Sequence, residues 1–232
     1  MTTVCVTCVA VLLLAAPVHA AGRPVTIVAP DGTTLAGMFY EASPRPAPAV
    51  VLVHMLGRSN AEWSVVAERL EDAGIASLAL DLRGHGRSGG NPAELPAMAT
   101  DVRTGLDWLA AHPSVWPGAL GVVGASLGAN LAGMAAADFP AVRAIAMISP
   151  SLDYRGLRLD AGVMRKLGDR PLWLAASTED PYALRTIKEL SQEGTRGEQR
   201  LSGVRGHGTS LLWADQDLSR ALVDWLRRTL IF

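Results

Sequence analysis

The chain alternates short apolar runs with segments in which apolar residues recur at helical spacing. The apolar runs carry no polar face and are bounded by turn residues, which is typical of buried strands. The predicted strands are Ala49–Val53, Ile75–Leu80, Leu120–Val123, Ile145–Ile148 and Leu172–Ala175, with a last strand around Leu201.

Apolar residues three and four positions apart predict helices between these strands. Asn60 is the predicted N-cap of the first helix and Gly74 its end. A second helix runs from about Leu127 to Asp138, and Pro181 suits the first turn of another. The apolar stripe of the final helix consists of Leu218, Leu222 and Trp225.

Strands alternating with helices predict an α/β fold with a mostly parallel, doubly wound sheet and helices on both faces. Near the start, Val25–Val28 and Thr34–Tyr40 flank Asp31-Gly32, a turn signal that predicts an antiparallel hairpin at one edge. No repeat or change in composition divides residues 21–232, so we expect a single domain there.

The first twenty residues differ in composition, because they contain no Asp, Glu, Lys or Arg. The apolar run Val9–Ala16 is too short to span a bilayer, which takes about 20 residues. It is followed by small residues ending at Ala20, which predicts a signal peptide at residues 1–20 and an exported protein. The alternative is a buried N-terminal strand or helix. Cys5 and Cys8 both lie here, so the mature chain would lack cysteine.

The overall charge argues against a nucleic-acid partner. Lys and Arg number 21 against 22 Asp and Glu, and the basic residues are scattered along the chain. Binding through phosphate contacts needs clustered Lys and Arg. We also expect no stable membrane span in the mature chain.

Candidate chemistry begins at Gly124-Ala125-Ser126-Leu127-Gly128, which follows a predicted strand and opens a predicted helix. A serine at this point needs a sharp turn, in which a Cβ at Gly124 or Gly128 would clash. The turn projects the Ser126 hydroxyl above the sheet as a nucleophile. The Leu127 N–H, at the start of the helix, is suited to stabilising an oxyanion.

A serine nucleophile needs a base, and the base needs an acid to orient it. His207 lies in Gly206-His207-Gly208, between the last strand and the last helix, where it can reach the serine. Three acids follow neighbouring strands: Glu179, Asp180 and Asp153. Spacing alone does not choose among them.

Together these residues resemble the α/β-hydrolase superfamily over Pro24–Phe232. The resemblance rests on four motifs in family order: Val53-His54-Met55-Leu56-Gly57, Asp81-Leu82-Arg83-Gly84-His85-Gly86-Arg87-Ser88, the Ser126 motif and the His207 motif. The resemblance implies that Asp180, just before Pro181, is the acid.

For other residues the resemblance implies supporting roles. Leu56 would supply the second oxyanion N–H, although the family commonly has glycine where this chain has Met55, so Met55 is an alternative donor. His54 and His85 would be structural histidines, and Asp81 would shape its loop. The connection from Pro150 to Arg170 is short for the fold, which predicts an open, shallow site. Its lining would include Trp213, Tyr182 and Met55, with core packing as the alternative for Trp213.

The expected function is a serine hydrolase that cleaves carboxylic esters of small or medium acyl groups through an acyl-enzyme. Alternatives are a peptidase, thioesterase or acyltransferase with the same residues, or a non-catalytic binding module. The expected partner is a small-molecule ester, with no cofactor and no metal.

Overall fold

The computed structural model describes residues 22–192 and 197–231. The predicted signal peptide, residues 1–20, therefore lies outside the described residues. Ten strands are described: β1 (Arg23–Val28), β2 (Thr34–Tyr40), β3 (Ala47–Val53), β4 (Ala76–Leu80), β5 (Val115–Ala125), β6 (Val142–Ile148), β7 (Asp153–Tyr154), β8 (Leu157–Arg158), β9 (Leu172–Ser177) and β10 (Gly197–Ser202). The α-helices are α1 (Ser64–Asp72), α2 (Leu95–Ala111), α3 (Leu127–Ala137), α4 (Ala161–Leu167), α5 (Pro181–Gln192), α6 (Thr209–Ala214) and α7 (Gln216–Ile231).

Eight strands form one sheet in the order β1-β2-β4-β3-β5-β6-β9-β10. β2 pairs antiparallel with both β1 and β4, whereas the pairs from β4 to β10 are parallel. This confirms the predicted fold: a mostly parallel sheet with an antiparallel hairpin at its N-terminal edge.

The sheet separates two apolar cores. Successive residues of a strand point to opposite faces, so on β3 Val51 and Val53 join one core while Val50 and Leu52 join the other. Helices α2, α3, α4 and α5 cover the first face, and α1, α6 and α7 cover the second. Burial on both faces explains why β3 is apolar without alternation.

Three local predictions need revision. Asn60 is not a helix cap, because it begins a short 3-10 helix (Asn60–Trp63) that precedes α1, and its N–H donates to Asp81. β5 begins at Val115, earlier than predicted, since Val115 pairs with Ala47 across a register shift. The polar connection after β6 contains the hairpin β7–β8 and helix α4, which are too short to give a clear periodicity.

The buried side chain of Asn130, on α3, attaches this short connection (the cap) to the helix. Asn130 Nδ2 donates to the carbonyl oxygens of Ser151 and Leu157 at 2.7 and 2.8 Å. Its Oδ1 accepts the Ser151 N–H at 3.0 Å. The cap is thereby fixed beside the carboxyl edge of the sheet.

Within the described ranges, no helix combines the length and apolar character needed to cross a membrane.

Candidate active site

Ser126 occupies a strained turn between β5 and α3, with φ 53° and ψ −118°. A Cβ on Gly124 would lie 2.0 Å from the Gly128 carbonyl oxygen, and one on Gly128 would lie 2.3 Å from the Val53 carbonyl oxygen. The prediction that both positions require glycine is confirmed. Strain of this kind persists only where the surroundings enforce it, and it is concentrated at functional sites.

His207 lies between Ser126 and Asp180. Its Nε2 is 2.8 Å from Ser126 Oγ, and its Nδ1 is 2.6 Å from Asp180 Oδ2. Because a carboxylate only accepts hydrogen bonds, Nδ1 carries the proton and its N–H donates a hydrogen bond to Asp180. Nε2 is then the free acceptor that faces the Ser126 hydroxyl. The structure thus brings the three predicted side chains into one hydrogen-bonded chain.

Asp180 is held by the start of α5. Its Oδ1 accepts the Ala183 N–H at 3.1 Å, so the residue caps the helix with one oxygen and contacts His207 with the other. The side chain is only 13% exposed. Pro181 occupies the first helical position, as predicted.

The other two candidate acids have different partners. Glu179 Oε2 is 3.9 Å from Arg205 Nε, and Asp153 Oδ2 is 2.8 Å from Arg158 Nε. Within the described part of the chain, neither acid makes a hydrogen bond to His207. The geometry therefore agrees with the acid that the resemblance selected.

The His207 loop is fixed by two serines that the sequence analysis did not single out. Gly208 adopts φ +57° and donates its N–H to Ser149 Oγ at 2.9 Å. The Ser210 hydroxyl donates to the His207 carbonyl oxygen at 2.7 Å. Ser149 directly follows β6 and itself has φ 52°. Its position after a buried strand was the available signal, but its partner lies far away in the sequence.

The loop after β3 forms a tight turn beside the nucleophile. The Arg58 N–H donates to the Met55 carbonyl oxygen at 3.2 Å, and Gly57 adopts φ +70°. The Met55 N–H is already used, because it donates to Glu62 Oε1 at 2.8 Å. The Leu56 N–H has no acceptor within the described ranges.

The Leu127 N–H lies at the first position of α3, where no intrahelical acceptor exists. It too has no acceptor in the described part of the chain. Leu56, in the loop after β3, and Leu127, at the start of α3, therefore each offer a backbone donor. The Met55 side chain packs below the histidine loop, since a Cβ on Gly208 would lie 2.3 Å from Met55 Sδ.

The loop after β4 has a structural role, as expected. Asp81 accepts the N–H groups of Asn60 and Arg87 through its two oxygens. His54 Nε2 accepts the Leu82 N–H at 3.0 Å. Burial lowers the pKa of His54 to about 4, so the ring is neutral near pH 7. These bonds join the loops after β3 and β4.

The site is open, in agreement with the short cap. The side chain of His207 is 51% exposed and Tyr182 is 81% exposed. Trp213 is 43% exposed and therefore not a core residue. It borders a cavity of about 500 Å³ together with Gly57, Arg58, Ser59, Ala61, Glu62 and Gly86. In the described ranges, no three His, Cys, Asp or Glu side chains form a group suited to a metal ion.

The family model described as serine aminopeptidase, S33 (Hydrolase_4) matches residues 44–188, more than half of the chain. The chain belongs to this family. Both Ser126 and Asp180 fall inside the matched range of this α/β-hydrolase, while His207 lies after it.

Two known relatives match parts of the chain by sequence. The uncharacterized protein Rv2307c of Mycobacterium tuberculosis (strain ATCC 25618 / H37Rv) is 33% identical over 138 residues, covering 59% of this chain and 48% of the relative. The chain thus spans about half the length of that relative. The polyketide transferase grgF of Penicillium sp is 28% identical over 204 residues, covering 79% of this chain and 69% of the relative.

Solved structures support the fold. The crystal structure of GrgF from Penicillium sp. sh18 superposes on this hydrolase with a TM-score of 0.77 at 18% identity, covering 90% of this chain and 99% of the other. The Pyrococcus furiosus esterase Pf2001 gives a TM-score of 0.74 at 18% identity, covering 90% and 93%.

Proposed function

We propose that this hydrolase cleaves carboxylic esters of small or medium acyl groups, with Ser126 as nucleophile, His207 as base and Asp180 as orienting acid. One observation carries the proposal: the His207 ring bridges Ser126 Oγ at 2.8 Å and Asp180 Oδ2 at 2.6 Å. A non-catalytic binding module would need neither this chain of bonds nor the strained backbone of Ser126.

In the first half-reaction, Ser126 Oγ attacks the carbonyl carbon of the ester and His207 Nε2 takes the hydroxyl proton. Asp180 stabilises the resulting imidazolium through Nδ1. The N–H groups of Leu56 and Leu127 donate to the oxyanion of the tetrahedral intermediate. The intermediate then expels the alcohol, which receives its proton from His207.

In the second half-reaction, water attacks the acyl-Ser126 carbonyl while His207 Nε2 accepts its proton. The same two N–H groups stabilise the second intermediate, which releases the acid and restores Ser126. The half-exposed ring of His207 supports this step, because solvent has access to it. The short cap favours small and medium acyl groups over long chains that need an enclosed tunnel.

The test is hydrolysis of p-nitrophenyl acetate and butyrate by the wild type and by Ser126→Ala. We expect the substitution to abolish hydrolysis of both esters while thermal unfolding stays unchanged. Ser191→Ala, a serine whose hydroxyl donates to Ile187 on α5, is the matched control and should keep full activity. Hydrolysis that survives Ser126→Ala would refute the proposal.

Acyl transfer is the second candidate, favoured by the similarity to a protein named polyketide transferase. It would use the same acyl-enzyme, with an alcohol or amine replacing water in the second half-reaction. Turnover in the presence of short alcohols distinguishes the two. A transferase gives mostly the new ester, whereas a hydrolase gives mostly free acid.

A further inference from the structure

Glu62 is a buried acid that has no part in the proposed mechanism. It lies on the 3-10 helix behind the turn after β3 and is only 7% exposed. Burial raises the pKa of Glu62, a shift that the Met55 N–H and the nearby Thr209 hydroxyl only partly oppose. Within the described ranges, neither Glu62 Oε2 nor the Thr209 hydroxyl oxygen meets the geometry of a hydrogen bond, although Thr209 is close enough to lower the pKa of Glu62. A buried acid with an unpaired oxygen costs stability, so packing alone does not account for it.

The other oxygen of Glu62 binds the backbone of the candidate oxyanion loop. Oε1 accepts the Met55 N–H at 2.8 Å, across seven residues of the chain. The Glu62 backbone is itself held, since its carbonyl oxygen accepts the Trp213 Nε1–H at 3.1 Å and its N–H donates to Ser59. The carboxylate is therefore a fixed point for the loop.

The Met55 carbonyl oxygen is held from the opposite direction. His54 Nε2 accepts the Leu82 N–H, so the proton of the neutral ring is on Nδ1. That Nδ1 lies 2.7 Å from the Met55 carbonyl oxygen and donates to it. The Arg58 N–H donates to the same oxygen.

These contacts set the direction of the Leu56 N–H. The Met55 carbonyl and the Leu56 N–H belong to one planar trans peptide, so they point in opposite directions. With the carbonyl held by two donors and the Met55 N–H held by Glu62, neither end of Met55 can rotate freely. The Leu56 N–H keeps one direction, and the Met55 N–H cannot compete as a donor.

We propose that Glu62 is a positioning residue, whose carboxylate holds the Met55 backbone so that the Leu56 N–H faces the oxyanion that forms at Ser126. This inference rests on the proposed function. Glu62 itself touches neither the substrate nor the reacting atoms. Its effect is on the transition state, because the oxyanion exists only after attack.

The experiment compares three substitutions of Glu62. Glu62→Gln keeps a carbonyl acceptor for the Met55 N–H, Glu62→Met removes the acceptor at similar volume, and Glu62→Asp shortens the carboxylate by one methylene. Asp160→Ala is the matched control, because Asp160 also accepts a backbone N–H, from Val163 at 3.0 Å, but in the cap. The readouts are kcat and KM for p-nitrophenyl butyrate, the Ki of phenylboronic acid, and thermal unfolding.

Loss of an oxyanion donor lowers kcat by about 100- to 1000-fold, and a displaced donor should cost less. We expect Glu62→Met to lower kcat by about 10- to 100-fold with KM changed less than about 3-fold. The Ki of phenylboronic acid should rise in parallel, because its tetrahedral adduct resembles the intermediate. Glu62→Gln should restore both values to within about 5-fold of the wild type, and Glu62→Asp should lose about 10-fold in kcat.

Three outcomes would overturn the inference. In the first, Glu62→Met loses no more kcat than Asp160→Ala. In the second, Glu62→Gln falls as far as Glu62→Met, which means that the acceptor is not what matters. In the third, Glu62→Met does not fold and Glu62→Asp keeps full activity. If Ser126→Ala retains the wild-type activity, the proposed function fails, and the proposed role of Glu62 fails with it. If Ser126→Ala is inactive and any of the three outcomes is observed, only the proposed role of Glu62 is refuted.

Discussion

Asp180→Asn removes a negative charge from the proposed acid while leaving its position in the fold intact. Asp180 caps α5 through the Ala183 N–H, and asparagine caps helices about as well as aspartate. We therefore expect the free energy of unfolding to change by less than about 1 kcal/mol. The contact with His207, in contrast, changes its chemistry, because an amide at the Oδ2 position cannot stabilise an imidazolium in the same way.

The size of the catalytic loss depends on how exposed the Asp180 and His207 side chains are to solvent. The Asp180 side chain is 13% exposed, so its charge acts on His207 with little screening across 2.6 Å. In a fully enclosed triad the equivalent change lowers kcat about 10⁴-fold. Here the His207 side chain is 51% exposed, and water stabilises part of the imidazolium charge. We expect a fall of about 10²- to 10⁴-fold, or roughly 3 to 5 kcal/mol in activation free energy.

The assay is kcat/KM for p-nitrophenyl butyrate, with urea unfolding measured on the same preparations. Glu179→Gln is the matched control, because it neutralises the preceding residue, whose nearest ionic partner is Arg205 at 3.9 Å. Its activity should stay within about 2-fold of the wild type, as for other weak surface ion pairs. A loss in Glu179→Gln that equals or exceeds the loss in Asp180→Asn would refute the assignment of the acid.

Two further predictions concern stability. Gly124→Ala should lower the free energy of unfolding by about 3 kcal/mol or more, since the new Cβ would lie 2.0 Å from a backbone oxygen. Gly105→Ala in α2 is the control, because its new Cβ would meet its nearest atom at 3.4 Å, and it should change the free energy of unfolding by no more than about 1 kcal/mol. Equal effects of Gly124→Ala and Gly105→Ala in urea unfolding would contradict the steric argument. The pKa of His54 is about 4 in the folded protein against 6.5 for the free side chain, so the unfolded chain binds the proton more readily between these values. The wild type should therefore lose up to about 3 kcal/mol of stability as the pH falls from 6.5 to 4. His54→Asn should lack this contribution, and identical pH profiles of the free energy of unfolding in the two proteins would contradict the lowered pKa of His54.

Much of the fold and the central residues were predictable from local patterns. The buried strands are apolar over their whole length, and Gly124 and Gly128 flank Ser126 at the spacing that a strand-to-helix turn requires. Such signals are contained within a few neighbouring residues. The choice of Asp180 was different, because three acids follow strands and only their spatial placement, or the resemblance to a family, separates them.

The supporting residues were not predictable for a related reason. The Ser149 hydroxyl accepts the N–H of Gly208, which is 59 positions away, and no local sequence pattern predicts such a contact. Glu62 reaches Met55 through a turn whose shape depends on His54 and on the neighbouring loop. Asn60 looked like a helix cap, yet it lies inside a 3-10 helix and its N–H donates to Asp81 in the loop after β4. In each case the partner is supplied by the tertiary fold.

The close approach of Gly128 to the Val53 carbonyl has a consequence for how this scaffold tolerates change. The nucleophile helix and the β3 strand meet through main-chain atoms, so their separation does not depend on any side chain that mutation could enlarge or shrink. The side chain of Tyr182, two positions after Asp180 in the sequence, is exposed and has no part in that contact. A library that varies Tyr182 therefore changes an exposed side chain and leaves the separation of β3 and α3 constant.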